Sequence, residues 1–144
     1  MIRDACLMDL QPLVAMAGRF HAAAGVSWPF DPLYAEAHLR RHCIEPGATV
    51  IVWDVDGQAV GALAGALVPQ VWYPQTWAIE TGWWVDPAHR GRAWRPMLRA
   101  FEDWAAGRGA DAVVMSALDD RTLTLMARAG YEPQPERHAV KRLR

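Results

Sequence analysis

Cysteine is scarce: Cys6 and Cys43 are the only two among 144 residues. That is too few for the disulfide framework of a small secreted protein, so a reducing, cytoplasmic setting is expected. Surplus charge is also missing. Fifteen Lys and Arg stand against 16 Asp and Glu, a net charge of −1, which gives no bulk case for nucleic acid or an anionic membrane. No window approaches the ~18 uncharged apolar residues that a spanning helix needs. Arg3, Asp4 and Asp9 interrupt any apolar run at the start, which argues against a secretion signal. Repeats, low-complexity stretches and linkers are lacking too. The expectation is one domain over residues 1–144, long enough to bury a core. What the chain has in excess is tryptophan: eight, beside three Tyr and three Phe.

The hydrophobic pattern alternates between the two regular periods. Met1–Ala5 reads as an opening strand, and Asp9 as the N-cap of a helix carrying Leu10, Leu13, Val14, Ala17 and Phe20, ended by Gly25. Asp31-Pro32 is a cap followed by proline at the first helical position, opening a second helix to about His42. Thr49–Val55 and Gln58–Val68 read as a hairpin joined by Asp56-Gly57. Thr76–Val85 is a further strand. Trp94, Met97, Leu98, Phe101, Trp104 and Ala105 repeat at three and four, an amphipathic helix. Ala112–Ala117 reads as a strand, Asp120–Ala129 as a helix closed by Gly130, and Tyr131–Arg142 as one or two strands. The order β-α-α-β-β-β-α-β-α-β predicts an α/β fold, a mixed central sheet with helices on both faces.

The segment Val85-Asp-Pro-Ala-His-Arg-Gly-Arg-Ala-Trp-Arg-Pro-Met-Leu98 places a strand end, a glycine turn and a helix N-terminus in succession. Such an N-terminus offers unpaired N–H groups and a positive dipole end, together an anion site. Arg90, Arg92 and Arg95 crowd that end, although each cation there opposes the dipole by ~0.3–1 kcal/mol. Either a polyanion arrives between them, or the turn is a solvated basic surface. Local chemistry leaves both readings open.

This segment resembles the acetyl-CoA-binding motif of the GNAT superfamily of N-acyltransferases: a strand, then Arg/Gln-x-x-Gly-x-Gly/Ala opening a helix. Arg90-Gly91-Arg92-Ala93-Trp94-Arg95 lies in that register. Ile2-Arg3-Asp4-Ala5 with Asp9-Leu10 resembles the family's opening strand and first helix, Asp56–Gly61 its hairpin, and Ala127-Arg128-Ala129-Gly130-Tyr131 its closing signature. The small bacterial and phage-borne members are the nearest in character. The resemblance implies the GNAT fold with a splay between the fourth and fifth strands, and a single acyltransferase domain. It implies acetyl-CoA as acyl donor, no metal, and transfer of acetyl to a primary amine by direct attack in a ternary complex. Trp83, Val85, Arg90, Gly91, Arg92, Ala93, Trp94, Arg95 and Asp119 are the implied cofactor-binding positions. Asp119 has an equal reading as the cap of the last helix. Three positions depart from the family: Ala93 and Arg95 stand at motif glycines, and Met126 where many members have an acid Tyr. They keep a rival reading, a catalytically degraded binding or inhibitory module acting through its tryptophan surface.

A protonated alkyl amine must lose a proton before it attacks, so a base is sought. Glu80 is the only charge in the strand Trp77–Val85 that feeds the turn. Strict alternation puts Glu80 with Gly82 and Trp84 on one face, and Ile79, Thr81, Trp83 and Val85 on the other. A carboxylate among tryptophans suits a base; a solvent-facing or arginine-paired carboxylate is the alternative. Several GNAT enzymes carry a catalytic Glu on this strand. Trp53, Trp83, Trp94 and Trp104 occupy core-like positions. Trp28, Phe30, Trp72, Tyr73 and Trp77 lie in or beside two loops, and are expected to line the groove for a small-molecule or peptide amine. Covering a sheet edge, or a homodimer interface, is the other role open to them. The five histidines show no metal-ligand spacing, and His38 and His42, one turn apart, read as a solvated face. Cys6 and Cys43 read as packing residues.

Overall fold

The computed structural model describes residues 1–91, 94–135 and 138–143. The chain divides into two compact units, residues 1–114 and 115–144. In the first, β1 (Ile2–Asp4) and a 3-10 turn (Leu7–Asp9) lead to α1 (Leu10–Ala24) and α2 (Pro32–Ile44). Then follow β2 (Ala48–Val55), β3 (Gln58–Pro69), β4 (Thr76–Val85), a 3-10 turn (Pro87–His89), α3 (Trp94–Gly107) and β5 (Ala112–Val114). The sheet order is β1-β2-β3-β4-β5, antiparallel until the parallel β4–β5 pair.

Local chemistry accounts for most of these boundaries. Asp31 accepts from the amides of Leu33 and Tyr34 and starts α2, with Pro32 in the first turn. Gly25 closes α1 at a φ of 66°. Asp56 and Gly57, at φ 53° and 82°, make the tight turn between β2 and β3. Asp9 departs from the expected pattern. It stands at the N-cap of α1 but makes no side-chain cap bond; its carboxylate instead takes the Cys6 amide and the Arg3 guanidinium. An ion pair that also accepts a backbone N–H satisfies more of the carboxylate than a cap would.

The sheet buries both faces. Val50, Val52 and Ala64 pack with Leu13 and Met16 of α1 and with Leu39 and Cys43 of α2. On the opposite face β3 comes so close to α3 that a Cβ on Gly65 would lie 2.4 Å from the Phe101 ring. Met97, Leu98, Phe101 and Ala105 form the buried stripe of α3. Trp53, Trp83, Trp94 and Trp104 are all half-buried, at the margins of this core rather than its centre.

In the second unit Asp119 caps α4 (Asp120–Arg128) by accepting from the Thr122 amide, Met126 is buried, and Gly130 turns the chain at a φ of 93°. The final strands expected over Tyr131–Arg142 do not form among the described residues, and β5 stops at Val114. Pro133 and Pro135 each withhold a ladder donor, which defeats strand pairing there.

Candidate active site

Two features of β4 set the geometry. The first is where its pairing ends. β5 accompanies it only from Trp77 to Ile79, opposite Ala112 to Val114. Glu80–Val85 runs on with no strand on that side among the described residues. This is the splay expected between the fourth and fifth strands. The Asp86 amide donates to the Val60 carbonyl, and this fixes the alternation. Residues 82 and 84 direct their main chain to β3, while Trp83 and Val85 direct theirs to the open edge.

The second feature is a β-bulge. Ala64 pairs with Gly82 and Gly65 with Glu80, so the register skips Thr81. Strict alternation therefore fails. Glu80 leaves the face of Gly82 and Trp84 and shares that of Gly65, toward α3. It is 9% exposed. Thr81 is exposed, and its hydroxyl lies toward α2, 3.5 Å from His42 Nε2.

Where β4 ends, several side chains converge. Arg19 of α1 forks onto both Asp86 carboxylate oxygens at 3.0 and 3.1 Å, and Trp84 Nε1 donates to the same carboxylate at 2.8 Å. Arg90 folds back over Trp84, its guanidinium carbon 4.7 Å from the ring centroid. Arg90 Nε donates to the Val85 carbonyl at 2.9 Å. Gly91 follows at a φ of 95°, a backbone that favours glycine. Arg95 lies over the Trp94 ring at the start of α3. Arg92 and Ala93 lie outside the described residues. Asp119 belongs to the second unit, where its carboxylate serves as a helix cap.

The loop aromatics form two groups. Phe30 rests on Gly18 and on the His21 ring of α1, and His21 Nε2 donates to the Trp28 carbonyl. Tyr73 stacks on Trp77 at 6.2 Å, and Trp72 beside them is 84% exposed. Trp83 Nε1 is buried with no partner among the described residues, a donor left open near the edge of β4. Among the described residues no group of three His, Cys, Asp or Glu is placed to hold a metal, and no helix is long and apolar enough to cross a membrane.

The acetyltransferase (GNAT) family model matches residues 13–131. The chain belongs to the GNAT acetyltransferase family. It is similar to a predicted acetyltransferase from Clostridium acetobutylicum solved with acetyl-CoA, at 16% identity over 98% of this chain and 95% of that one, TM-score 0.83. A mutant of the BH1408 protein from Bacillus halodurans aligns at 18% identity over 99% of both chains, TM-score 0.82. An aminoglycoside acetyltransferase from an uncultured soil metagenomic sample aligns at 20% over 100% of this chain and 96% of that one, TM-score 0.74. At such identities these likenesses show the fold. No curated protein matches the chain. The family is one of N-acetyltransferases using acetyl-CoA, and the degraded binding module finds no support in the match.

The sequence reading missed three members of this site. His42 was expected on a solvated face but is 7% exposed, because α2 packs it toward β4. Thr81 changes face through the bulge. Asp86, read as a strand stop, ties α1 to the end of β4. Gly65 and Gly82, which flank the register shift on the two strands, were the available signal, since glycine within a strand often marks a bulge. Cys6, expected to pack, is exposed.

Proposed function

We propose that the protein transfers the acetyl group of acetyl-CoA to a primary amine by direct attack in a ternary complex, with residues 1–144 acting as one acyltransferase domain. The observation that carries this reading is the open edge of β4 running from the arginine turn to the bulge. The family match crosses the boundary at residue 114, which supports a single functional domain.

The residues present suit the donor. Glu80–Val85 spans about 20 Å at ~3.3 Å per residue, room for an extended arm lying along the edge. The main-chain groups of Trp83 and Val85 would hydrogen-bond its amides, and the buried Trp83 indole N–H is a further donor. Arg90, Gly91, Arg92, Ala93, Trp94 and Arg95 would hold the pyrophosphate at the N-terminus of α3. Acetyl-CoA supplies an acyl carbon activated as a thioester. The chain's task is to orient it, exclude water and take the amine's proton.

Glu80 is assigned as the base that accepts that proton. Burial beside the α3 face suits a proton acceptor, because water does not compete for the carboxylate. Trp28, Phe30, Trp72, Tyr73 and Trp77 would line the acceptor groove, where aromatic faces hold a cationic small-molecule or peptide amine. CoA release against a panel of amines tests the activity, beside a thermal titration with acetyl-CoA. The expected result is a melting temperature that rises with acetyl-CoA and CoA release with at least one amine. No shift and no release would remove the proposal.

A further inference from the structure

The bulge sets aside one polar pair that Glu80 does not account for. His42 lies on α2 with its ring buried, and its Nδ1 is 3.1 Å from the His38 carbonyl. A carbonyl oxygen only accepts, so Nδ1 carries a proton, and in the neutral ring Nε2 is then the lone pair. That lone pair faces the hydroxyl of Thr81 at 3.5 Å. The hydroxyl is therefore the donor. The contact is long, as catalytic contacts often are until substrate arrives. Thr81 is exposed and sits on the open stretch of β4, on the opposite face from Glu80.

Proton counting gives this pair a task. An alkylammonium nitrogen carries three protons and the product amide one, so two must leave. Glu80 takes one. We infer that Thr81 and His42 relay the other from the amine. As the nitrogen bonds the acyl carbon and the carbon–sulfur bond breaks, a nitrogen proton passes to Thr81 Oγ1 while the Thr81 proton passes to His42 Nε2. The electron pair of the broken bond leaves on sulfur. His42 becomes imidazolium, its Nδ1–H still on the His38 carbonyl, and returns its proton to the departing thiolate or to water. No bond to the enzyme forms. Thr81 is the catalytic residue here, and His42 acts through it as a positioning residue and proton store.

Groups of both charges surround the His42 ring. The His38 ring lies tilted against the His42 ring, 4.3 Å between centroids, with Arg41 on the same helix. Partial desolvation, and then the neighbouring His42, push the His38 imidazole below its ordinary range. Beside the ring a cavity is lined by Asp4, Glu45, Cys43 and Arg108. Burial pushes the Cys43 thiol up, which keeps it neutral.

The inference rests on the proposed acetyl transfer, and the test separates the two. The variants are Thr81→Val, which keeps shape and strand propensity, Thr81→Ser, which keeps the hydroxyl, and His42→Gln. Thr81→Val should lower kcat about ten- to a hundredfold, with acetyl-CoA Kd and melting temperature unchanged. Thr81→Ser should restore it, and His42→Gln/Thr81→Val should be no slower than the slower single variant. The acid limb of the kcat profile should be altered in His42→Gln. Nitrogen NMR of the unliganded protein should find His42 as the Nδ1–H tautomer. Thr81→Val within twofold of an active wild type, or His42 as the Nε2–H tautomer, overturns the relay alone. A wild type that releases no CoA with any amine overturns the transfer reading and the relay with it.

Discussion

β1 and the open stretch of β4 both present a strand edge, and the chain treats them in opposite ways. β1 is only three residues long, and charge closes it. Arg3 Nε reaches Asp54 at 2.9 Å, and its two terminal nitrogens reach Asp9 at 2.8 and 2.9 Å. Short strands and fixed charge are the usual means of blunting an edge. Glu80–Val85 is longer and less closed: the main chain of Trp83 and Val85 faces outward, only the Val85 carbonyl end is met by Arg90 among the described residues, and a bulge lies at its closed end. Leaving that edge unpaired carries an aggregation risk, so its retention argues for use by a ligand. On the proposed function one edge would serve stability and the other chemistry, and substitutions at the two should be separable.

The largest effect should come from the open edge. Glu80→Gln is expected to slow turnover about 10²–10⁴-fold, the usual worth of a general base, with little change in acetyl-CoA affinity. Steady-state rates at neutral pH, with calorimetric binding in parallel, check both parts. Full activity in Glu80→Gln would remove the base from this edge and with it half of the contrast.

The closed edge should respond in stability alone. Arg3→Met leaves the mostly buried Asp9 carboxylate without its partner, at a cost of about 2 kcal/mol. Thermal and urea melts should show the loss while kcat and KM hold. A variant as stable as the wild type, or one that loses turnover selectively, would contradict the assignment.

Acid gives a gentler version of the same experiment. The Arg3 guanidinium, followed by smaller contributions from Cys6, holds the Asp9 carboxyl at about 2 against an ordinary value near 3.8. Its folded value is depressed, so its contribution is complete above pH ~4 and is lost as pH falls toward 2. The change is on the order of 1–2 kcal/mol. Melts between pH 5 and 2 should show this limb in the wild type and a much smaller one in Arg3→Met.

How legible these edges were depends on the range of the forces involved. Asp31-Pro32, Asp56-Gly57 and the stripe Met97, Leu98, Phe101, Ala105 act within one turn or one helix, and the sequence displays them directly. The arginine turn was legible for the same reason, as a local motif after a strand. The face of Glu80 was not, because one unpaired residue reverses alternation and the bulge is decided jointly by β3 and β4. His42 escaped for a related reason. A weakly amphipathic helix does not announce which side it buries; the small Ala64 on β3 and the skipped Thr81 on β4 make that choice. Asp9 was recognised as a helix start, yet a partner six residues earlier in the chain claims its side chain.

The smallest expected effect tests the mouth of the open edge. Arg90 spends its Nε on the Val85 carbonyl and its cation on the Trp84 face. Two consequences of Arg90→Ala oppose each other. Removing the side chain frees an acceptor that an incoming amide would want, which favours binding. It also removes a positive charge from the turn and uncovers Trp84, which loosens the backbone meant to meet a pyrophosphate. A cation–π contact with a charge-assisted hydrogen bond outweighs one freed carbonyl that water solvates well. Acetyl-CoA affinity should therefore fall roughly three- to tenfold, about 1 kcal/mol, with kcat nearly constant. Titration calorimetry decides the sign. Tighter binding in Arg90→Ala would make the arginine a plug in the splay, which the donor must displace on entry, and the open edge would then be partly guarded in the resting protein.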